Sequence, residues 1–155
     1  MDWLKSVPRR ATKFARLGWA EKRLFIRIVA LLVRVRLALW IRPFQHVREM
    51  AERLGERRVG DGVKRLSAHD ITSLITVGAS YIPEATCLTQ ALVAQVILKK
   101  YGYAPELKIG VGRGEAKRFQ AHAWIELDGK VIIGQVKMLD QYTPLPQLAP
   151  VPVEK

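Results

Sequence analysis

The stretch Phe119-Gln-Ala-His-Ala-Trp-Ile-Glu-Leu-Asp-Gly-Lys-Val-Ile-Ile-Gly-Gln-Val136 decides how this 155-residue chain is read. Two runs rich in β-branched and aromatic residues flank Asp128-Gly129, a dipeptide that favours a two-residue hairpin because both central positions of that turn want positive φ. Strands are expected over Ala121 to Leu127 and Lys130 to Val136, with another over Leu107 to Val111. Alternation along the first of the pair puts His122 on one face with Trp124 and Glu126. Counting outward from the turn pairs Leu127 with Lys130 and His122 with Gln135. Directly opposed residues share a face, so Gln135 is the side chain expected to orient the imidazole, with Asp128 ranked second.

Upstream the pattern is helical. A helix is expected from Thr86 to Lys100, capped by Thr86 or by Cys87 itself, and another over Ser67 to Ala79 with Ile71, Leu74, Ile75 and Ala79 on one face. Leu24 to Ile41 reads as an amphipathic helix ended by Pro43. Phe44 to Leu54 restarts as a second, closed by Gly55. Helices first and an antiparallel sheet afterward give the class α+β. At 49% hydrophobic and 26% charged, the chain suits one packed domain with a single core. The glycine-containing stretch Gly55 to Gly62 is the candidate hinge between a basic helical region, 1–66, and a core, 67–155, that form one compact unit.

Charge is concentrated at the front. The formal net charge is +12, and residues 1–66 hold 17 basic against 6 acidic side chains. Arg27, Arg34 and Arg36 break the oily helix so that its longest uncharged run, Ile28 to Val33, is far short of the roughly twenty residues a membrane span needs. Met1 to Gly18 is a basic arm without a signal-peptide cleavage pattern. The single cysteine excludes an intrachain disulfide and a zinc site built on several thiolates, and suits a reducing, cytoplasmic compartment. His46, His69 and His122 lack metal-ligand spacing, so no metal and no cofactor are expected. The basic residues lack zinc-finger spacing or an aromatic RNA-binding signature, so no nucleic acid is expected. The run Gly110-Val-Gly-Arg-Gly114 has no following Lys-Ser/Thr. It reads as a loop carrying Arg113, Lys117 and Arg118 beside a substrate cleft.

The chemistry lies in Cys87 and His122. Open N–H groups and the positive end of the macrodipole at a helix start stabilise a thiolate and can hold an oxyanion. A helix-start cysteine followed by a strand-borne histidine is the order used by papain-like thiol enzymes, in which the imidazole takes the thiol proton. The bland alternative, a buried inert cysteine, is the commoner fate of a lone thiol. Ser80 and Tyr81 are weak candidates for a second oxyanion donor.

Pro83-x-x-x-Cys87-Leu88-x-x-Ala91, Tyr101-Gly102, Leu107-x-Ile-Gly-Val111 and Ala121-His-Ala-Trp-Ile-Glu126 together resemble the transglutaminase-like cysteine peptidases of lasso-peptide biosynthesis, over about Ser80 to Leu145. The resemblance implies a transglutaminase-like (papain-like) core, with the cysteine at a helix N-terminus packed on an antiparallel sheet. It implies a leader peptidase with Cys87 as nucleophile and His122 as base. Its partners would be a lasso precursor, a separate leader-recognition protein and the ATP-dependent cyclase that uses the exposed amine. The aspartate that this family carries on the strand after the histidine has no counterpart at Gly134 or Gln135. Two other functions fit the sequence: a transglutaminase-type thiol acyltransferase on the same Cys-His site, and a non-catalytic basic module on a membrane surface or nucleic acid. Peripheral contact of the basic helix with the inner face of the membrane is compatible with catalysis.

Overall fold

The computed structural model describes residues 18–57, 66–113, 119–136 and 139–146. The basic arm up to Leu17, positions 58–62 of the candidate hinge, and Lys117 and Arg118 lie outside them. Among the described residues four helices come first: α1 (Trp19–Ile41), α2 (Phe44–Glu56), α3 (Ala68–Ala79) and α4 (Cys87–Lys100). Helix α1 buries Leu24, Ile28, Leu32, Val35 and Ala38, spaced by three and four residues, so one stripe faces the core. It begins five residues before the periodicity starts. Pro43 separates α1 from α2 as expected, because it lacks an N–H and fixes an extended entry for the next helix.

Gly55 does not close α2. It lies inside the helix, buried, where a Cβ would come within 3.1 Å of the Lys99 side chain. Its role is close approach of two helices, and α2 runs on to Glu56. The start of α3 is built by Ser67, whose hydroxyl oxygen accepts from Asp70 N–H at 3.1 Å and lies 2.6 Å from Asp70 Oδ2. Thr86 plays the corresponding part for α4, accepting from Thr89 N–H. That leaves Cys87 as the first helical residue rather than the cap.

Helix α4 is enclosed rather than amphipathic: every residue from Ala91 to Leu98 is buried. Helices α1, α2 and α3 pack around it, and the sheet takes the remaining side. The sheet contains β1 (Glu106–Arg113), β2 (Phe119–Leu127), β3 (Lys130–Ile133) and β4 (Tyr142–Pro144), in the antiparallel order β3-β2-β1-β4. A short 3-10 turn, Leu139–Gln141, leads into β4. The hairpin turn forms as expected, with Asp128 at φ 50° and Gly129 at φ 73°. Ala123 and Ile125 enter the helical core together with Ile133, so His122, Trp124 and Glu126 occupy the opposite face of β2. The architecture is the expected α+β class. No described helix is long and apolar enough to cross a membrane.

The cap at Ser67 carries a measurable part of this arrangement. Ser67→Ala is expected to cost about 1 kcal/mol, read as a lower urea midpoint with an unchanged slope.

Candidate functional site

Cys87 sits half-buried at the first position of α4 and is a free thiol packed against the core. Thr86 caps the helix through Thr89 N–H. The N–H groups of Cys87 and Leu88 therefore have no partner within the helix and point toward whatever lies at its positive end. The first turn carries no acidic side chain, and Lys99 and Lys100 end the helix. The lack of a carboxylate in the first turn leaves the dipole unopposed at the cysteine. The nearby carboxylate of Glu84 is engaged by the Arg36 guanidinium, which ties α1 to the turn that delivers Cys87. Glu84 holds φ 55° in that turn.

His122 is fixed by its surroundings on β2. Its Nε2 lies 2.6 Å from the main-chain oxygen of Gly134. A carbonyl only accepts, so Nε2 carries the proton and donates, and the lone pair of the neutral ring is on Nδ1. The ring stacks on Trp124 at 6.1 Å and 18°, and meets the Tyr142 ring at 5.5 Å and 49°. Trp124 is itself held by donation from Nε1 to Glu126 Oε1 at 2.8 Å. The shared face of His122, Trp124 and Glu126 is as the alternation predicted.

Glycines make this packing possible. A Cβ at Gly110 would stand 2.9 Å from the Trp124 ring, and one at Gly134 would stand 2.7 Å from Ala123 O. Gly134 also has φ +85°, a conformation that side chains strongly disfavour. This residue ends β3 and turns its carbonyl back toward β2.

The pairing of His122 with Gln135 does not form. Leu127 opposes Lys130 and Glu126 opposes Val131 as counted from the turn, but a bulge between Ile125 and Glu126 moves the next pair to Ile125 with Ile133. The extra residue shifts the register by one, and Gly134 ends the ladder before Gln135 is reached. Gln135 is exposed, and no hydrogen bond joins it to His122. Asp128 is exposed in the turn. The group at the imidazole is the backbone of Gly134, a residue whose missing side chain hides it from a reading based on side chains. An isolated glycine after Val131-Ile-Ile133 is the one sequence signal that marks it.

The structure thus gathers His122, Trp124, Tyr142 and Gly134. It does not bring the Cys87 thiol into hydrogen bonding with the imidazole. Ser80 donates its hydroxyl to Val77 O at 2.7 Å, and Tyr81 is exposed. His46 and His69 are exposed and stand apart from this cluster. Among the described residues, no group of His, Cys, Asp and Glu could hold a metal.

Comparison with known families matches residues 29–147 to the family described as the transglutaminase-like superfamily. No curated protein and no solved structure matches the chain. The matched span contains Cys87, His122 and Gly134, together with most of α1.

Two outcomes follow from the site geometry. Nitrogen-resolved NMR of the histidine rings should show His122 as the Nε2–H tautomer, whereas an Nδ1–H signature would contradict the Gly134 hydrogen bond. Gly134→Ala should destabilise the fold by about 1–3 kcal/mol through backbone strain, seen as a lower denaturant midpoint.

Proposed function

Because the chain belongs to the transglutaminase-like superfamily, a family of cysteine-type peptidases and acyltransferases, we propose that it is a cysteine peptidase that removes the leader from a lasso-peptide precursor. The observation that carries the reading is the fixed His122 tautomer: with Nε2–H held by Gly134 O, Nδ1 is free to take a proton. Cys87, at the start of a helix with open N–H groups, supplies the nucleophile. The lasso specificity rests on the sequence resemblance around Cys87 and His122.

In this reading, Sγ and Nδ1 meet when substrate is bound, as catalytic hydrogen bonds that are loose in the free enzyme often do. The proton passes from thiol to Nδ1 as Sγ bonds to the carbonyl carbon of the last leader residue. The carbonyl oxygen becomes an oxyanion held by the Cys87 N–H. As the C–N bond breaks, His122 returns the proton to the departing amine, leaving a thioester on Cys87. Water then attacks, giving its proton to Nδ1, and the leader leaves as a carboxylic acid with the thiol restored. The freed amine is the group that an ATP-using cyclase joins to an acidic side chain. A separate leader-recognition protein presents the precursor.

Gly134 O fixes the tautomer that a side-chain amide or carboxylate fixes in related triads, which removes the need for Gln135 or Asp128. The test is mass spectrometry of a lasso precursor incubated with the protein and a leader-recognition protein. Cys87→Ala should abolish leader release, and His122→Ala should slow it by about 10²- to 10⁴-fold. Gln135→Ala and Asp128→Ala should stay within about threefold of wild type, since neither touches a reacting group. Undiminished cleavage by Cys87→Ala would overturn the thiol mechanism. A product in which an amine has been joined in place of water would assign acyl transfer instead.

A further inference from the structure

Helix α1 is apolar on two opposite sides. One stripe, Leu24 through Ala38, is in the core. The other points outward and comprises Trp19, Ile26, Val33, Leu37, Trp40 and Ile41, again at spacings of three, four and seven. These side chains are far from covered: Trp19 is 82% exposed, Ile26 65%, Leu37 54% and Trp40 71%. At the 1.5 Å rise of an α-helix, the two tryptophans stand about 32 Å apart, so the stripe runs almost the whole length of the helix. An apolar surface this long and continuous marks an interaction site rather than scatter.

Its borders are cationic. On the helical wheel Arg23, Arg27 and Arg34 line one flank; on the other stand Lys22 and Arg36, whose guanidinium is paired with Glu84 and lies 5.3 Å from the Trp40 ring centre. The helix has one carboxylate, Glu21, and it is occupied with the Gly18 N–H at 2.9 Å. Beside the arginine flank lies a groove of about 590 Å³ between α1, α2 and α4, edged by Arg27, Arg34, Arg57 and Lys100 over an apolar floor that includes Leu31 and Leu54. Among the described residues, none that lines it is acidic. Burial in this groove pushes the Tyr101 phenol up, and Arg27 pulls it back. The sequence immediately before α1 adds Lys5, Arg9, Arg10, Lys13 and Arg16 against Asp2 alone.

An outward apolar stripe, tryptophans at both ends, arginine flanks and a cation-edged groove match one kind of surface in each of its layers. Apolar side chains suit the acyl boundary, tryptophans the polar–apolar border, and arginines the phosphates. We propose that α1 docks the protein flat on a bilayer rich in anionic phospholipid, with the Ile26–Val33–Leu37 stripe in the interfacial layer and headgroup phosphates in the Arg27–Arg34–Arg57–Lys100 groove. Arg27, Arg34 and Arg36 interrupt the helix as a whole, so it does not span a bilayer and the attachment is peripheral. This inference stands independently of the peptidase reading, because none of these residues belongs to the Cys87–His122 machinery.

The test is co-sedimentation of the full chain with vesicles of phosphatidylcholine alone and of equal parts phosphatidylcholine and phosphatidylglycerol. Wild type should pellet with the anionic vesicles, remain in solution with the neutral ones, and be released as salt is raised. Ile26→Glu and Leu37→Glu should each weaken the binding at least about tenfold, while Leu37→Met should retain it. The Arg34→Glu, Arg57→Glu double variant should weaken it similarly. Because these side chains are surface-exposed or at a groove edge, unfolding midpoints should hold, which separates lost docking from lost folding. Wild type left in solution with the anionic vesicles, including any case where only an acidic protein binds the stripe, overturns the proposal. So does undiminished pelleting of the two glutamate variants.

Discussion

Burial of Ala91 to Leu98 on every side is the constraint on which the rest of the molecule depends. Each large apolar side chain taken from water contributes about 1.5–3 kcal/mol, and here Leu92, Val93, Val96 and Leu98 are enclosed together. A helix apolar all round needs neighbours all round. Three helices and one sheet supply them. Fixing α4 places Cys87 at its positive end, and packing Ala123 and Ile125 against it selects which face of β2 turns inward. A one-residue slip of β2 would bury His122 and expose Ile125, so the hydrophobic core sets the position of the imidazole.

The opposite face of the sheet solves a different problem, which is holding a polar ring without a charged partner. Trp124, Tyr142 and the Gly134 carbonyl surround His122. Gly110 and Gly134 provide the space that the tryptophan occupies. A neutral carbonyl fixes a tautomer, but it stabilises an imidazolium less than a carboxylate does, because charge-assisted hydrogen bonds are roughly twice as strong. The imidazole is therefore held by orientation more than by charge. At Cys87, by contrast, the available stabilisation of negative charge is the helix end itself.

Much of this was legible in the sequence where local chemistry is decisive. Thr86, one of the two residues expected to cap α4, does so, Pro43 divides α1 from α2, and Asp128-Gly129 turns with positive φ at both positions. Misreadings arise where tertiary contact overrides a local rule. Gly55 looks like a helix stop but serves helix–helix approach against Lys99. The bulge at Ile125/Glu126 has no dipeptide signature, and it alone shifts the residues opposite His122. β4 has three residues, too few to show a period, and Leu145 N–H bonding to Ile109 O at 2.8 Å helps hold it on β1. The outward stripe of α1 does not stand out in the sequence, because periodicity does not say which of two apolar faces finds a partner.

The peptidase account rests on a covalent bond at Cys87. The most direct test is intact-protein mass spectrometry of wild type acid-quenched during turnover of a lasso precursor with a leader-recognition protein. The account predicts a transient species heavier by the leader acyl group, mapped to Cys87 and lost again as the leader is released. Precursor consumed at full rate with no such adduct at any quench time, and with Cys87 unmodified, would contradict it.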